Sequence, residues 1–166
     1  PDFYQGTEFW DLSLVDPDNR RPVDFAHCRG MLAAIHAGFE TGRESLIGDM
    51  LASMEDGRVK MFLIWRALSA RRRFAGLFSG GEYHPLWPLG RRRNSVVAFA
   101  RHIGPHWAVT VVPRLLLSWL KDGDLPLGLD SWADTRVIPV HGMPSIWRDA
   151  ITGEELVFER NYPVGR

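Results

Sequence analysis

PDFYQGTEFWDLSLVDPDNRRPVDF, residues Pro1 to Phe25, is the stretch from which the fold of this chain is read. It holds Asp2, Glu8, Asp11, Asp16, Asp18 and Asp24, the adjacent Arg20 and Arg21, and the aromatics Phe3, Tyr4, Phe9, Trp10 and Phe25. Its apolar residues follow no helical period. Carboxylates and guanidinium groups grip hydroxyls through charge-assisted hydrogen bonds, and aromatic faces pack on the apolar faces of pyranose rings, so the mixture suits a sugar site. The plainer reading is a polar loop that covers an edge of the fold. With no initiator methionine, the chain is expected to be a piece of a longer protein.

Outward from this stretch the pattern becomes helical. Cys28, Met31, Leu32, Ile35 and Phe39 form one apolar face of a helix capped by Asp24 and ending near Gly38. Leu46, Ile47, Met50, Leu51 and Met54 form a second stripe, with Thr41 and Glu44 spaced as a capping box. A third helix is predicted from about Arg58 to Phe74. Its Met61-Phe62-Leu63-Ile64-Trp65 segment is apolar nearly all round, which predicts burial on more than one side. After Gly81 the period shortens to that of strands. Ser95 to Arg101 and Trp107 to Val112 read as a hairpin joined by Ile103-Gly104-Pro105-His106. Further strands are expected at Glu82 to Trp87, Thr135 to Val140, Ile146 to Ile151 and Glu155 to Glu159, a spacing that suggests a β-sandwich.

Four stretches carry a family resemblance: Pro1 to Phe25 as quoted, GRVKMFLIWRALSARRRFAGLFSGGEYHPL (Gly57 to Leu86), SVVAFARHIGPHWAVTVVPRLL (Ser95 to Leu116) and WADTRVIPVHGMPSIWRDAITG (Trp132 to Gly153). Together they resemble the maltooligosyltrehalose synthase family of the α-amylase clan. Pro1, Tyr4, Gly6 and Glu8 resemble the clan's Gly-x-Pro-x-x-Tyr-x-Gly-x-Glu pattern at its last barrel strand, without the leading glycine. The resemblance implies an α+β chain: residues 1–78 as the end of a (β/α)8 barrel with its last strand loop and helices, and residues 79–166 as a C-terminal antiparallel β-sandwich domain. It implies a parent enzyme that isomerises the reducing-end α-1,4 linkage of maltooligosaccharides to α,α-1,1 by retaining intramolecular transglycosylation. The motifs for the nucleophile, the acid and the transition-state stabiliser are absent, so the upstream barrel of the same protein is expected to supply catalysis, with no catalytic residue in this chain.

From clan members whose Asn-Arg-x-Pro stretch faces substrate, the resemblance implies that Asn19, Arg20 and Asp24 touch sugar, with Asp24 orienting Arg20 and with Arg20 preferred over Arg21. Tyr4, Gln5, Trp10 and Asp11 are second-choice liners, and Glu8 orders the loop. Two other readings stand beside this one: a fragment of another clan hydrolase such as a maltooligosyltrehalose trehalohydrolase, and a non-catalytic carbohydrate-binding module.

Composition narrows the classes. The 166 residues carry 20 basic and 20 acidic side chains, a balance that argues against nucleic acid or a charged membrane surface as partner. One cysteine, Cys28, rules out an internal disulfide and fits a cytoplasmic setting. No apolar run approaches the roughly 20 residues of a membrane span. No cofactor or metal is expected: His102 and His106 are four apart but straddle the predicted turn. The arginine runs 71–73 and 91–93 read as solvated faces, and most of Trp87, Trp107, Trp119, Trp132 and Trp147 as core.

Overall fold

The computed structural model describes residues 4–14, 16–121, 123–158 and 161–165. Pro1, Asp2 and Phe3 of the opening stretch, and Glu159 at the end of the last expected strand, lie outside the described residues. The chain divides into two compact units. The first runs to Arg72 and includes Ala150–Thr152; the second holds Arg73–Asp149 and the chain from Gly153 onward.

In the first unit, helix α1 (Phe25–Ala52) begins where the Asp24 carboxylate accepts the His27 backbone N–H at 2.9 Å. This meets one of the orphan donors of a helix start, as the sequence predicts. The expected break near Gly38 falls instead at Gly42, whose φ of −166° and ψ of 65° leave the helix. Gly38 stays helical, and Leu46, from beyond the break, packs close over it: a Cβ there would lie 3.1 Å from Leu46 Cδ1. The Thr41–Glu44 capping box does not form. Thr41 Oγ1 donates back to the Ala37 carbonyl at 2.9 Å, the local bond a threonine makes to the preceding helical turn, so it does not cap the helix that resumes after Gly42.

Helix α2 (Arg58–Arg73) starts beside Asp56, whose carboxylate accepts both the backbone N–H and the Nε–H of Arg58. Ile35 and Met50 of α1 meet Met61 and Phe62 of α2 in a buried cluster, joined by partly buried Cys28, Met31, Leu32, Phe39, Leu46, Ile47 and Trp65. The expected apolar stripes are therefore the packing faces. Burial on more than one side is not found: Leu63 is 51% exposed, because α2 presents only the Met61–Phe62 edge and Trp65 to α1. Trp65 instead packs on His36, Phe39 and Phe62, with ring centroids 4.0, 5.5 and 6.0 Å away. Arg66 lies 4.3 Å over the Phe39 ring and donates to the carbonyls of Ala150 and Ile151.

The second unit opens with the short helix α3 (Ala75–Gly80) and continues as strands. Strand β1 (Glu82–Leu86), β3 (Val96–Ile103) and β4 (His106–Pro113) form an antiparallel sheet in the order β1-β3-β4. Between β1 and β3 lies the two-residue β2 (Pro88–Leu89), which pairs with β5 (Arg136–Val137), and β5 pairs with β8 (Tyr162–Pro163). A third small sheet joins β6 (Ile146–Arg148) to β7 (Glu155–Val157). The predicted hairpin is present: Ile103 faces His106 across a Gly104–Pro105 turn, with Gly104 at φ 57°. A glycine in the left-handed region followed by proline matches the sign pattern of a type II′ turn, whose twist suits adjoining strands. The later strands are shorter than predicted. Arg136–Val137 stands for Thr135–Val140, and Ile146–Arg148 ends where Gly153 and Asp149 close a turn at 2.9 Å.

Alternation along β3 sets the second core. Val96, Ala98 and Ala100 are buried with Leu86, Trp132, Val137, Tyr162 and Val164. Indole N–H groups that enter this core find acceptors: Trp132 on the Pro126 carbonyl, Trp119 on Ser95 Oγ and Trp147 on the Pro144 carbonyl. Trp107, Trp119 and Trp147 pack against the core as expected, and Trp87 departs from that expectation at 73% exposed. Among the described residues no helix is long and apolar enough to cross a membrane.

These burials set unequal costs along α2. Phe62→Ala is expected to destabilise the chain by about 3–5 kcal/mol, the usual loss for a buried aromatic. Leu63→Ala, removing a half-exposed side chain, is expected to cost under about 1 kcal/mol. Chemical denaturation followed by helical circular dichroism measures both; equal losses would show α2 packed on two sides.

Candidate functional site

The opening loop folds back on itself before α1 begins. Residues 4 to 7 make a turn in which the Thr7 N–H and Oγ1 both donate to the Tyr4 carbonyl, at 3.3 and 2.7 Å. Gly6 lies against Val23, at the far end of the loop. Its φ is 88°, and a Cβ there would stand 2.8 Å from Val23 Cγ2, so both backbone and space require glycine. This approach joins the two ends of the loop.

The middle of the loop is anchored on the first unit's helical core. Trp10 Nε1 donates to the Met54 carbonyl at 2.6 Å, and Lys60 Nζ donates to the Phe9 carbonyl at 2.8 Å while standing 5.5 Å over the Trp10 ring. Phe9 packs beside His27 at 5.3 Å between ring centroids. The basic half of the loop is held by local ion pairs. Arg20 pairs with Asp16 through Nε and NH2, and Arg21 NH2 pairs with Asp18 at 2.7 Å while its Nε donates to the Asp18 carbonyl. These guanidinium groups are about 70% exposed, so the pairs orient the side chains more than they stabilise the fold.

Between these anchors lies an open cleft of about 260 Å³. Gln5, Trp10, Asp11, Asn19 and Asp24 all line it, five of the seven residues singled out from sequence. Arg21 lines it as well. Arg20 and Tyr4 do not; Tyr4 is 72% exposed in the turn outside. Asp24 does not orient Arg20 as expected, since one of its oxygens caps α1 and Asp16 holds Arg20. Sequence reasoning missed Phe9, Ser13, Asp18 and His27 among the liners. His27 was findable: it stands three residues after the capping Asp24 and donates the capped N–H.

The cleft's titratable groups have distinct settings. The Asp11 carboxyl is held below its ordinary range by hydrogen bonds from the Ser13 side chain and backbone, the latter at 2.9 Å. The Cys28 thiol, which also lines the cleft, is pushed up by burial and by the nearby carboxylates of Glu8 and Asp24, so it stays protonated and weakly nucleophilic at neutral pH. Three acidic side chains, an arginine, an indole and two carboxamides thus meet on one surface, a set that offers acceptors, donors and a ring face to a polyhydroxylated ligand.

The Asp11 geometry gives a titration test. A carboxyl whose folded pKa is depressed contributes stability above its unfolded pKa, and loses it as pH falls through the folded value. Ser13→Ala removes the largest of the lowering contacts, so it is expected to raise the Asp11 pKa toward the ordinary carboxylate value. Carbon-detected NMR titration of the side-chain carboxyl reads this shift; an unchanged value would show that Ser13 does not hold Asp11.

No family model matches the chain. Curated relatives do. Two Mycobacterium tuberculosis proteins, from strains CDC 1551 and H37Rv, both provisionally named maltooligosyl trehalose synthase, are 38% identical over 135 residues, covering 81% of this chain and 15% of their own length. The solved structure of maltooligosyltrehalose synthase from Arthrobacter ramosus matches with a TM-score of 0.70 and 35% identity, covering 99% of this chain and 18% of that one. A solved point mutant of the same Arthrobacter ramosus enzyme matches with a TM-score of 0.70 at 36% identity, over the same shares of the two chains. The chain thus spans about a sixth of the length of the proteins it matches, and in both sequence and fold it belongs to the maltooligosyltrehalose synthase family.

Proposed function

We propose that this chain is the C-terminal part of a maltooligosyltrehalose synthase, and that its opening loop forms one wall of that enzyme's sugar site. On this reading residues 1–78 are the end of a (β/α)8 barrel, and residues 79–166, which follow it in sequence, are a β-sandwich domain. Loops at the C-terminal ends of barrel strands carry the binding groups of such enzymes, and Tyr4 to Phe25 would be the loop after the eighth strand. The observation that carries the proposal is the cleft itself. It gathers Gln5, Trp10, Asp11, Asn19, Arg21 and Asp24 from the segment with the clan's pattern.

The reaction is retaining transfer of a reducing-end glucose within one maltooligosaccharide. It requires a nucleophilic carboxylate and an acid/base carboxyl about 5–5.5 Å apart, both supplied by the barrel that precedes this segment. The work of the present residues is binding and exclusion. Trp10, pinned by its bond to Met54, offers a fixed ring face; Asp11 and Asp24 accept hydroxyl protons; Arg21, steadied by Asp18, donates to sugar oxygens. Packed against the barrel, such a wall would also keep water from the glycosyl intermediate, so that the turned sugar rather than water attacks it. Between the two arginines, cleft lining favours Arg21 as the sugar contact, with Arg20 serving its pair with Asp16.

Two experiments test this. In the full-length enzyme, Arg21→Ala is expected to lower turnover on maltopentaose by tenfold to a hundredfold, about 1.4–2.7 kcal/mol of transition-state binding, while Arg20→Ala changes it less than about threefold. Sensitivity at Arg20 alone would exchange their roles, and melting-temperature losses without turnover loss in either variant would make the loop structural. The 166-residue chain alone, incubated with maltopentaose, is expected to release neither glucose nor a trehalose-ended product; either product would overturn the assignment of catalysis to the barrel.

A further inference from the structure

The β1-β3-β4 sheet gathers three metal-ligating side chains that are scattered in sequence. Glu82 and His84 are two apart on β1 and so point to one face. His102 of β3 is the direct partner of Glu82, so it shares that face, and Trp107 of β4 is in turn the partner of His102. One donor atom from each of Glu82, His84 and His102 lies within 4.8 Å of the other two. This is the face that, farther along the strands, buries Leu86, Ala98 and Ala100. At the other end of the sheet the apolar core therefore gives way to a carboxylate and two imidazoles.

Two details separate this cluster from a chance meeting of polar groups. Nε2 of His84 is shielded from solvent and has no hydrogen-bond partner in the protein. The Glu82 carboxylate stands 3.5 Å from it, near enough to feel its charge but outside good hydrogen-bond geometry. Buried polar atoms are nearly always paired, so an unpaired imidazole nitrogen 3.5 Å from a carboxylate calls for an explanation, which a shared cation would supply. His102, for its part, has Nε2 at 2.8 Å from the Gly104 carbonyl, which accepts the ring N–H. That bond fixes the tautomer and leaves the lone pair on Nδ1. A backbone carbonyl holding the second ring nitrogen is the usual support of a metal-bound histidine. The His102 ring is further fixed by stacking on Trp107, with centroids 4.0 Å apart.

We propose that Glu82, His84 and His102 form a binding site for a transition-metal dication, with Zn²⁺ as the best fit. Two imidazoles and one carboxylate are a known zinc donor set, with Zn–N near 2.0–2.1 Å and Zn–O near 2.0–2.2 Å. Such bonds bring donors to about 3.4 Å apart, so closure needs the widest pair to contract by at most about 1.4 Å. Glu82 and His84 already stand 3.5 Å apart, so the gap to close is the one to His102, and Glu82 is the freest of the three to move. Its side chain is 76% exposed on the edge strand of the sheet, while both histidines are half-buried. An open side at Glu82 leaves room for water or an added ligand to complete the coordination sphere. The site is separate from the opening-loop cleft and does not depend on the sugar-binding reading. Sequence spacing directed attention to His102 and His106; strand pairing puts His106 opposite Ile103, on the turn side of the hairpin, and brings His84 in from another strand.

The test is calorimetric titration of ZnCl₂ into the purified chain after removal of metal with a chelator. One equivalent is expected to bind in the micromolar range or tighter, with a rise in melting temperature. His84→Ala and His102→Gln are each expected to weaken binding at least tenfold and to abolish that rise, Glu82→Gln to weaken it less, and His106→Ala to leave it unchanged. Circular dichroism and the metal-free melting temperature show whether each variant is folded. His84→Asn, which keeps a polar side chain of similar reach, is the second variant at that position. Absence of saturable binding in the parent chain would overturn the site, as would undiminished binding in folded His84 and His102 variants.

Discussion

The period of two along β3 is the constraint on which the second unit depends. Val96, Ala98 and Ala100 alternate into the core, and no other phase of the strand would bury them together with Leu86 of β1. Once that face is fixed, every other residue on it follows. His102 must project to the core side of the sheet, Glu82 and His84 must join it from the edge strand, and Trp107 must roof it from β4. The metal-ligating trio is thus a consequence of core packing, positioned to the accuracy of the backbone ladder. Arg101 and Phe99, in the opposite phase, serve the other face: Arg101 binds the Gly81 carbonyl at 2.8 Å, and Phe99 stacks on Tyr83 at 5.2 Å.

In the first unit the comparable element is Asp24. Its carboxylate ends the loop and starts α1 with a single hydrogen bond, and the helix it starts carries the Ile35 face that meets Phe62. The loop in turn is tied down at Trp10 and Phe9 by groups from the Met54 turn and from α2. Binding groups are most useful when held by rigid elements, and here a loop whose regular structure is one 3-10 turn at Asp18–Arg20 is tied down through backbone carbonyls and one lysine. Exposed ion pairs such as Arg20–Asp16 add little stability, but they decide which way each guanidinium faces. That distinction separates Arg21, which lines the cleft, from Arg20, which does not.

Much of this architecture was legible in the chain. The apolar stripes Cys28 to Phe39 and Leu46 to Met50 are the faces that pack, Asp24 is the cap, and Gly104–Pro105 is the turn, because each depends on residues within one helical turn or one hairpin. The break at Gly42 rather than Gly38 was not legible, since either glycine can leave the helix and no local pattern separates them. Nor was the exposure of Leu63, because an apolar helix does not state how many neighbours it has.

The sequence by itself determined the helix-then-strand order, the opening loop's sugar-compatible chemistry and the family, since these reside in composition, local period and contiguous motifs. Tertiary structure alone decided which arginine meets the cleft, because two adjacent guanidinium groups differ only in the carboxylate that holds each one. It alone also decided that His102 belongs with Glu82 and His84 rather than with His106. Spacing along a chain measures neighbours within an element, whereas cross-strand register joins residues 20 apart by a hydrogen-bonded ladder that no local pattern encodes.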